Sequence, residues 1–145
     1  MARKKKKVHD ELKQWLLELG EKYGYDVYSG DSEPIDIRIK KKHIEYKPDV
    51  VWVWKGGLYI IEIAFSEDWR AIVGEFLLVS MIKNCKEFFM ITVGDPSFSG
   101  DLFRIIQKKL DFNRWISYTF EYSDLNDAEK IKREVKSYLK ESEWI

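Results

Sequence analysis

Two β-rich runs joined by a glycine turn restrict the possible folds of this sequence more than any other feature. Residues 49–54 read Asp-Val-Val-Trp-Val-Trp, Lys55-Gly56-Gly57 follows, and residues 58–65 are apolar almost throughout. Glycines between two such runs are typical of a tight β-hairpin. A strand that is apolar at nearly every position is typical of a sheet covered on both faces. The pattern therefore predicts a central hairpin inside a layered α/β domain.

Shorter patterns predict the elements around this hairpin. Apolar residues at helical or strand spacing predict helices near 9–22, 66–84, 101–110 and 124–140, strands at 35–39, 88–93 and 115–120, and a short strand candidate at 25–28. Strand–helix–strand units favour parallel pairing with right-handed crossovers. The expected fold is α/β, in the order α-β-β-β-α-β-α-β-α, with a mixed sheet of four to five strands flanked by helices. The 145 residues fit one domain over 8–145, preceded by a basic flexible tail over 1–7.

Composition excludes several protein classes. Hydrophobic residues make up 45% of the chain and aromatic residues 15%, which is typical of a globular protein rather than a disordered one. The single cysteine, Cys85, excludes an internal disulfide framework. No apolar run reaches the roughly 18 residues of a membrane span, and no apolar signal region follows the basic N-terminus. We expect a cytoplasmic protein without a membrane partner. Its charged fraction of 34% and its two glutamines are typical of a thermophile.

Two carboxylates lie at positions where the predicted hairpin brings them together. Asp49 opens the first strand, and Glu62 lies near the end of the second, among isoleucines. An ionised carboxylate in an apolar strand is costly unless it is paired or binds a metal. Carboxylate oxygens suit Mg²⁺ or Mn²⁺, so the pair predicts a metal site. The alternative is structural, with Asp49 capping a turn and Glu62 paired with a basic residue of a neighbouring strand.

The sequence resembles a nuclease superfamily at these positions. A helical Glu11, the Pro48-Asp49 dipeptide, a glycine hairpin and then Ile61-Glu62-Ile63-Ala64 resemble the PD-(D/E)xK motif over about residues 8–94. The order of the motifs is most similar to that of archaeal Holliday junction resolvases. The resemblance implies a restriction endonuclease-like fold, DNA hydrolysis and a Mg²⁺ or Mn²⁺ cofactor. It also implies that Asp49 and Glu62 bind the metal, with Glu11 as a further metal contact.

One motif residue departs from the family pattern. The superfamily has a lysine two residues after the second acid, where it is thought to orient the attacking water, and this chain has Ala64 there. Three interpretations remain open. The domain is a catalytically inactive nucleic-acid-binding or interaction module, the cation comes from elsewhere, or the residue has been substituted.

Two residues are candidates for a relocated cation. Lys47 lies two residues before Asp49, so in a continuous strand both side chains point to one face. Arg70 lies one turn into the helix that follows the second hairpin strand. The alternative places Lys47 at a solvated strand end and Arg70 on a helix surface. Acids near the same end, Glu67 and Asp68, are interpreted as helix N-terminal charges.

Basic residues supply a candidate nucleic-acid surface. The chain carries 25 Lys+Arg against 25 Asp+Glu, but the cations are concentrated near the proposed acid site. The residues proposed to contact phosphates without reading bases are Lys4, Lys5, Lys6, Lys7, Lys40, Lys41, Lys42 and Arg70. The alternative for such charge runs is a solvated, solubilising surface. Neutrality therefore does not exclude DNA as a partner.

Three functional hypotheses follow. The first is a metal-dependent nuclease that hydrolyses DNA, with Asp49, Glu62 and Lys47 as catalytic residues. The second is an inactive nucleic-acid-binding or protein-interaction module with the same fold. The third is a small assembly subunit, and a homodimer is compatible with all of them. His9 and His43 lie in charged, apparently solvated segments, so no nucleophile–base pair is predicted. Glu75 is interpreted as a partly exposed ion-pair residue or as a neighbour of the metal site.

Overall fold

The predicted hairpin lies in the middle of a five-stranded mixed sheet. The computed structural model describes residues 2–145, with strands β1 Asp26–Tyr28, β2 Ile35–Ile39, β3 Lys42–Tyr46, β4 Val50–Trp54, β5 Gly57–Phe65, β6 Cys85–Val93 and β7 Trp115–Phe120. The helices are α1 Ala2–Lys22, α2 Trp69–Ser80, α3 Pro96–Lys109 and α4 Ala128–Glu141. The predicted α/β class and mixed five-stranded sheet are confirmed.

Pairing within the sheet follows the strand order β1-β4-β5-β6-β7. The pairs β1–β4 and β4–β5 are antiparallel, and a tight turn connects β4 to β5. The pairs β5–β6 and β6–β7 are parallel, and each crossover contains a helix. The carboxyl ends of β5, β6 and β7 therefore meet at one edge of the sheet, where the helices α2 and α3 begin. Such an edge is the usual place for a ligand site in an open α/β sheet.

Helices cover both faces of the sheet. One face packs against α1 and α4 through a core that includes Leu12, Leu16, Trp52, Val135 and Leu139. The other face packs against α2 and α3 through a core that includes Ile60, Ile72, Phe76, Met90 and Phe103. Successive strand residues point to opposite faces, so each central strand contributes apolar side chains to both cores. This explains the uninterrupted apolar pattern of residues 58–65.

Residues 2–7, predicted to be a basic flexible tail, form the first turns of α1, and Met1 lies outside the described residues. Helix α1 begins at Ala2, because Lys and Arg are good helix formers and two of them have tertiary contacts. Lys5 forms an ion pair with Glu67, and its ammonium lies 5.3 Å from the ring centres of Phe65 and of Tyr122. Lys4 donates a hydrogen bond to Asn126. The basic segment is thus an ordered end of a helix.

A second sheet was missing from the predicted order. Strands β2 and β3 form a separate two-stranded hairpin in which the residues of β3 from Lys42 to Glu45 are exposed. Strand β2 was predicted at 35–39, but the charged residues of β3 hid its strand pattern, since a solvated ribbon needs few apolar positions. Ile37 and Tyr46 are buried in the α2–α3 core, and the partly buried Ile35 packs against it. Five strands therefore precede α2, not three.

The helix predicted near 66–84 is shorter in the structure, where α2 spans Trp69–Ser80. Residues Ser66–Asp68 form a 3-10 turn before α2, and no side chain caps that helix. The Ser66 hydroxyl instead accepts a hydrogen bond from the Asp95 amide, which joins the ends of β5 and β6.

No helix among residues 2–145 is both long enough and apolar enough to cross a membrane.

Candidate functional site

Asp49 and Glu62 lie together at the edge of the sheet where β5 ends. The Asp49 amide donates a hydrogen bond of 2.5 Å to Glu62 Oε1, and the Ile63 amide donates one of 2.8 Å to Asp49 Oδ2. The two carboxylates are therefore held by reciprocal bonds to each other's strand. Glu62 is 4% exposed and points to the α2–α3 face of the sheet. The structure brings these two predicted site residues into contact.

The backbone before Asp49 is positioned by a close approach to Gly30. The Gly30 amide donates to the Pro48 carbonyl at 2.8 Å. A Cβ atom at Gly30 would lie 2.4 Å from the backbone of Lys47 and Pro48, so only glycine fits there. Pro48 itself is buried and has a restricted φ angle. These constraints set the direction in which the Asp49 side chain leaves the strand.

The half-buried Glu75 of α2 forms an acid pair with the buried Glu62. Desolvation raises the pKa of Glu62 well above its usual value, and the negative charges of Glu75 and Asp49 raise it further. Desolvation also raises the pKa of Glu75 to about 7, although a hydrogen bond with Glu62 opposes that rise. One oxygen of this residue, Glu75 Oε2, is buried without a hydrogen-bond partner among residues 2–145. The pair therefore holds a proton near neutral pH and has an oxygen free for a ligand.

His9 lies in this site, contrary to its predicted solvated position. Its Nε2 atom is 3.0 Å from Asp49 Oδ1. The hydrogen bond with Asp49 raises the pKa of His9 above its usual value, although burial of the ring opposes the shift. The Asp49 carboxylate thus bonds to an imidazole on one oxygen and to a backbone amide on the other. This arrangement fixes its orientation.

A cavity of about 490 Å³ lies beside these residues; His9 and Glu75 line it, whereas Asp49 and Glu62 do not. It is called the acid cavity here, and its lining includes His9, Ala64, Glu67, Asp68, Arg70 and Glu75. Behind it, the Tyr46 hydroxyl is buried without a partner among residues 2–145. Desolvation and then the charges of Glu62 and Glu75 raise the pKa of Tyr46 well above its usual value. The phenol therefore stays neutral beside the acids.

Glu11 lies away from the acid pair, although it was a predicted metal contact. Its Oε1 atom accepts a hydrogen bond of 3.0 Å from Lys132 of α4. On α1, His9 and Glu11 lie on opposite sides of the apolar stripe formed by Val8 and Leu12, because successive helix residues are about 100° apart. Only the side that carries His9 faces Asp49.

We expect Glu11→Gln to leave any metal-dependent activity of the domain within about twofold of wild type. The lost ion pair with Lys132 is partly exposed, so the free energy of unfolding should fall by no more than about 1 kcal/mol. Parallel measurements of activity and urea unfolding check this. A loss of activity without a loss of stability would show that Glu11 contributes to the site.

The two candidate cations have different surroundings. Lys47 is exposed, and its charge acts on Asp31, whose carboxylate accepts a hydrogen bond from Lys13. Lys47 is not among the residues that line the acid cavity. Arg70 does line the cavity, and its guanidinium carbon lies 4.5 Å from the ring centre of Trp69. The position of the family's lysine, Ala64, lines the same cavity. Arg70 is therefore the better placed of the two candidates.

The other predicted basic residues lie on two separate elements. Lys6 and Lys7 line a shallow surface near the start of α1, and Lys4 and Lys5 bond to the turns after β7 and β5. Lys40, Lys41 and Lys42 lie at the tip of the β2–β3 ribbon and are exposed. The ribbon joins the site through Tyr46, three residues before Asp49.

These side chains can bind a divalent cation only if waters or a substrate phosphate supply its remaining ligands. Among residues 2–145, no three His, Cys, Asp or Glu side chains lie close enough to hold a metal by themselves. Asp49 and Glu62 are nevertheless joined, and Glu75 Oε2 is an unpaired buried acceptor beside them. Mg²⁺ typically takes one or two carboxylates and completes its shell with waters and substrate phosphate. The residues present fit that kind of open site.

Sequence reasoning missed His9, Tyr46 and the acid pairing of Glu75. The signal for His9 was its place one turn before Leu12, beside the apolar stripe of α1. The partial signal for Glu75 was a carboxylate within an apolar helix. Tyr46 had no usable signal, because β3 itself was not predicted.

Comparisons of the chain with protein-family models, with curated proteins and with solved structures find no match.

Proposed function

We propose that this chain is a metal-dependent nuclease of the PD-(D/E)xK type that hydrolyses DNA phosphodiester bonds. One observation carries the proposal. Asp49 and Glu62, on the two strands of one hairpin, are joined by hydrogen bonds beside a cavity whose lining includes His9, which contacts Asp49, and a cation, Arg70. Perturbed pKa values in a cleft are typical of catalytic groups.

The order of elements supports this proposal. Helix α1 is followed by the antiparallel strands β1, β4 and β5, then by α2 and by β6, parallel to β5. This is the helix–strand–hairpin–helix–strand order of the resembled core, with the β2–β3 ribbon inserted after its first strand. Asp49 immediately precedes the second core strand, β4, and Glu62 lies in the third, β5, as the resemblance implies for the two motif acids.

The side chains have distinct roles in the proposed reaction. Asp49 and Glu62 would hold the metal, which when bound lowers the pKa of a water and stabilises charge on the phosphate. Arg70 orients a phosphate at the mouth of the cavity, as a guanidinium bonds well to phosphate oxygens. His9 Nε2 donates a hydrogen bond to Asp49 Oδ1 and so holds that carboxylate in position. Glu75 and Glu62 hold a proton between them near neutral pH, because both pKa values are raised.

A specific observation favours a second candidate function. Ala64 stands where the family has its lysine, and no lysine lines the acid cavity among the described residues. A domain that binds nucleic acid without cutting it would retain the fold and basic surfaces but lose hydrolysis.

Cleavage assays test the first candidate. Linear, branched and single-stranded DNA are incubated with the full chain and Mg²⁺ or Mn²⁺, with EDTA as the control. We expect cleavage that depends on the divalent cation. A chain that cuts none of these substrates, and whose melting temperature does not change with either cation, would not be a metal-dependent nuclease.

Ala64→Lys separates the two candidates. If Arg70 already supplies the cation, the added lysine should change the cleavage rate little, and Arg70→Ala should lower it. Cleavage that appears only in Ala64→Lys would favour the inactive module. Arg70→Lys serves as the matched control, since it keeps the charge but loses the planar guanidinium.

A further inference from the structure

Beside the acid cavity lies a second pocket, which is mainly aromatic. It has a volume of about 410 Å³ and is lined by Ser66, Glu67, Trp69, Asp95, Phe98 and Tyr122. It lies between the starts of α2 and α3, at the edge where the parallel strands end. Trp69 is 37% exposed and Phe98 42%. Two large exposed rings next to a cleft are unusual for a surface that only faces water.

The aromatic pocket and the acid cavity share a wall. Glu67 lines both, Trp69 lines the aromatic pocket, and Arg70 lines the acid cavity. The cation–π contact between Arg70 and Trp69 joins the two sides of that wall. A ligand with a planar apolar group and an adjacent anion can therefore place the planar group on the aromatic side and the anion beside Arg70.

The charges that line the aromatic pocket favour a ligand with hydrogen-bond donors, although Lys5 pairs with one of the two acids, Glu67. The charged residues among its lining are both acids, Glu67 and Asp95, and no Lys or Arg lines it. The two helix amides that Asp95 caps, from Ser97 and Phe98, both donate to its Oδ1 atom. Among residues 2–145 this leaves Asp95 Oδ2 able to accept from a ligand. The pocket thus suits a flat ring with N–H donors at its edge.

We propose that the aromatic pocket binds an unpaired nucleobase, adjacent to a phosphate held at the acid cavity. The base stacks on Trp69 and Phe98, and its exocyclic amino group donates to Asp95. A base inside a duplex has no free face, so the substrate class is single-stranded or unpaired DNA rather than an intact duplex. This inference rests on the proposed function for the position of the phosphate, but base binding itself needs no hydrolysis.

Binding assays in EDTA test this separately from cleavage. Fluorescence anisotropy compares a labelled single strand, the same strand with abasic sites, and the matched duplex. We expect the wild type to prefer the normal single strand. Trp69→Ala and Phe98→Ala should each weaken binding of that strand about 5- to 150-fold, the range typical of one lost stack. Trp69→Phe should retain most of the affinity, because it keeps a ring.

Matched controls come from the same two helices. Leu77 and Ile105 are exposed apolar residues of α2 and α3 that do not line the pocket, so Leu77→Ala and Ile105→Ala should leave affinity unchanged. The abasic strand should bind wild type and Trp69→Ala equally. Equal losses for normal and abasic strands, or a Trp69→Ala protein with unchanged affinity, would overturn the base site even if the protein cuts DNA. If Trp69→Ala loses affinity only for the normal strand and the wild type cleaves no DNA, the base site would be supported and the nuclease proposal rejected.

Discussion

Replacing Asp49 by asparagine is expected to lower metal-dependent cleavage about a thousandfold. The carboxylate is the residue that bonds to His9, to the Ile63 amide and, in the proposed site, to the metal. Asparagine keeps the size of the side chain but removes the charge that attracts the cation. A metal ion contributes several kcal/mol of transition-state stabilisation, and about 1.4 kcal/mol corresponds to a factor of ten. Single-turnover cleavage with saturating enzyme measures the loss.

Asp111→Asn is the matched control for this change. Asp111 is exposed and lies between the end of α3 and the start of β7, at the opposite edge of the sheet. Its substitution should leave the rate unchanged. Thermal unfolding with and without Mn²⁺ adds a second measurement, because a cation that binds only the folded state raises the melting temperature. Wild type should gain stability with Mn²⁺ and Asp49→Asn should not. Equal cleavage by both variants would remove Asp49 from the mechanism.

The second large effect concerns the pH dependence of stability. Burial raises the pKa of Glu75 from 4.5 to about 7, and Glu62, Asp49, His9 and Asp68 are the charged groups that act on it. A pKa raised on folding stabilises the protein below the unfolded value, and this contribution is lost as pH rises through the folded value. In EDTA, the free energy of unfolding should therefore fall by about 3 kcal/mol between pH 4.5 and 8. The raised pKa of His9 acts in the same direction.

Glu75→Gln should remove the part of this fall that comes from Glu75, while the raised pKa of Glu62 keeps its own contribution. The amide has nearly the same shape but no charge at pH 8, so the variant should exceed wild type there by about 2–3 kcal/mol and differ little near pH 5. Urea unfolding at the two pH values measures both differences. The exposed Glu21→Gln serves as the control and should follow wild type at each pH. A wild type with equal stability at both values would mean that Glu75 is not a buried acid in solution.

The hairpin and the contact between Asp49 and Glu62 show how much of the structure could be predicted from the sequence. Both β4 and β5 were predicted within one residue, because burial on two faces requires an almost uninterrupted apolar run. Asp49 and Glu62 could be paired from the same pattern, since a tight glycine turn determines which residues lie opposite each other. The ribbon β2–β3 could be predicted only in part, because most of its residues are solvated and carry no burial signal.

Helix α1 shows where such reasoning stops. Its apolar stripe predicted which face is buried, but not which polar residues beside that stripe meet the end of β4. The structure places His9 there and turns Glu11 towards Lys132. The same limit applies to residues 2–7, which a run of cations suggested to be mobile. Their order depends on contacts of Lys5 with Phe65, Glu67 and Tyr122, from distant parts of the chain.

By itself, the sequence determined the α/β class, the central hairpin and the meeting of Asp49 with Glu62. Each of these follows from local periodicity and from a turn of known geometry. Tertiary structure alone decided that Glu75 shares the site with Glu62, that Arg70 rather than Lys47 lines the cavity, and that an aromatic pocket adjoins it. These features depend on where the helices pack on the sheet. The packing of the two cores determines those positions, and no short segment of the chain encodes it.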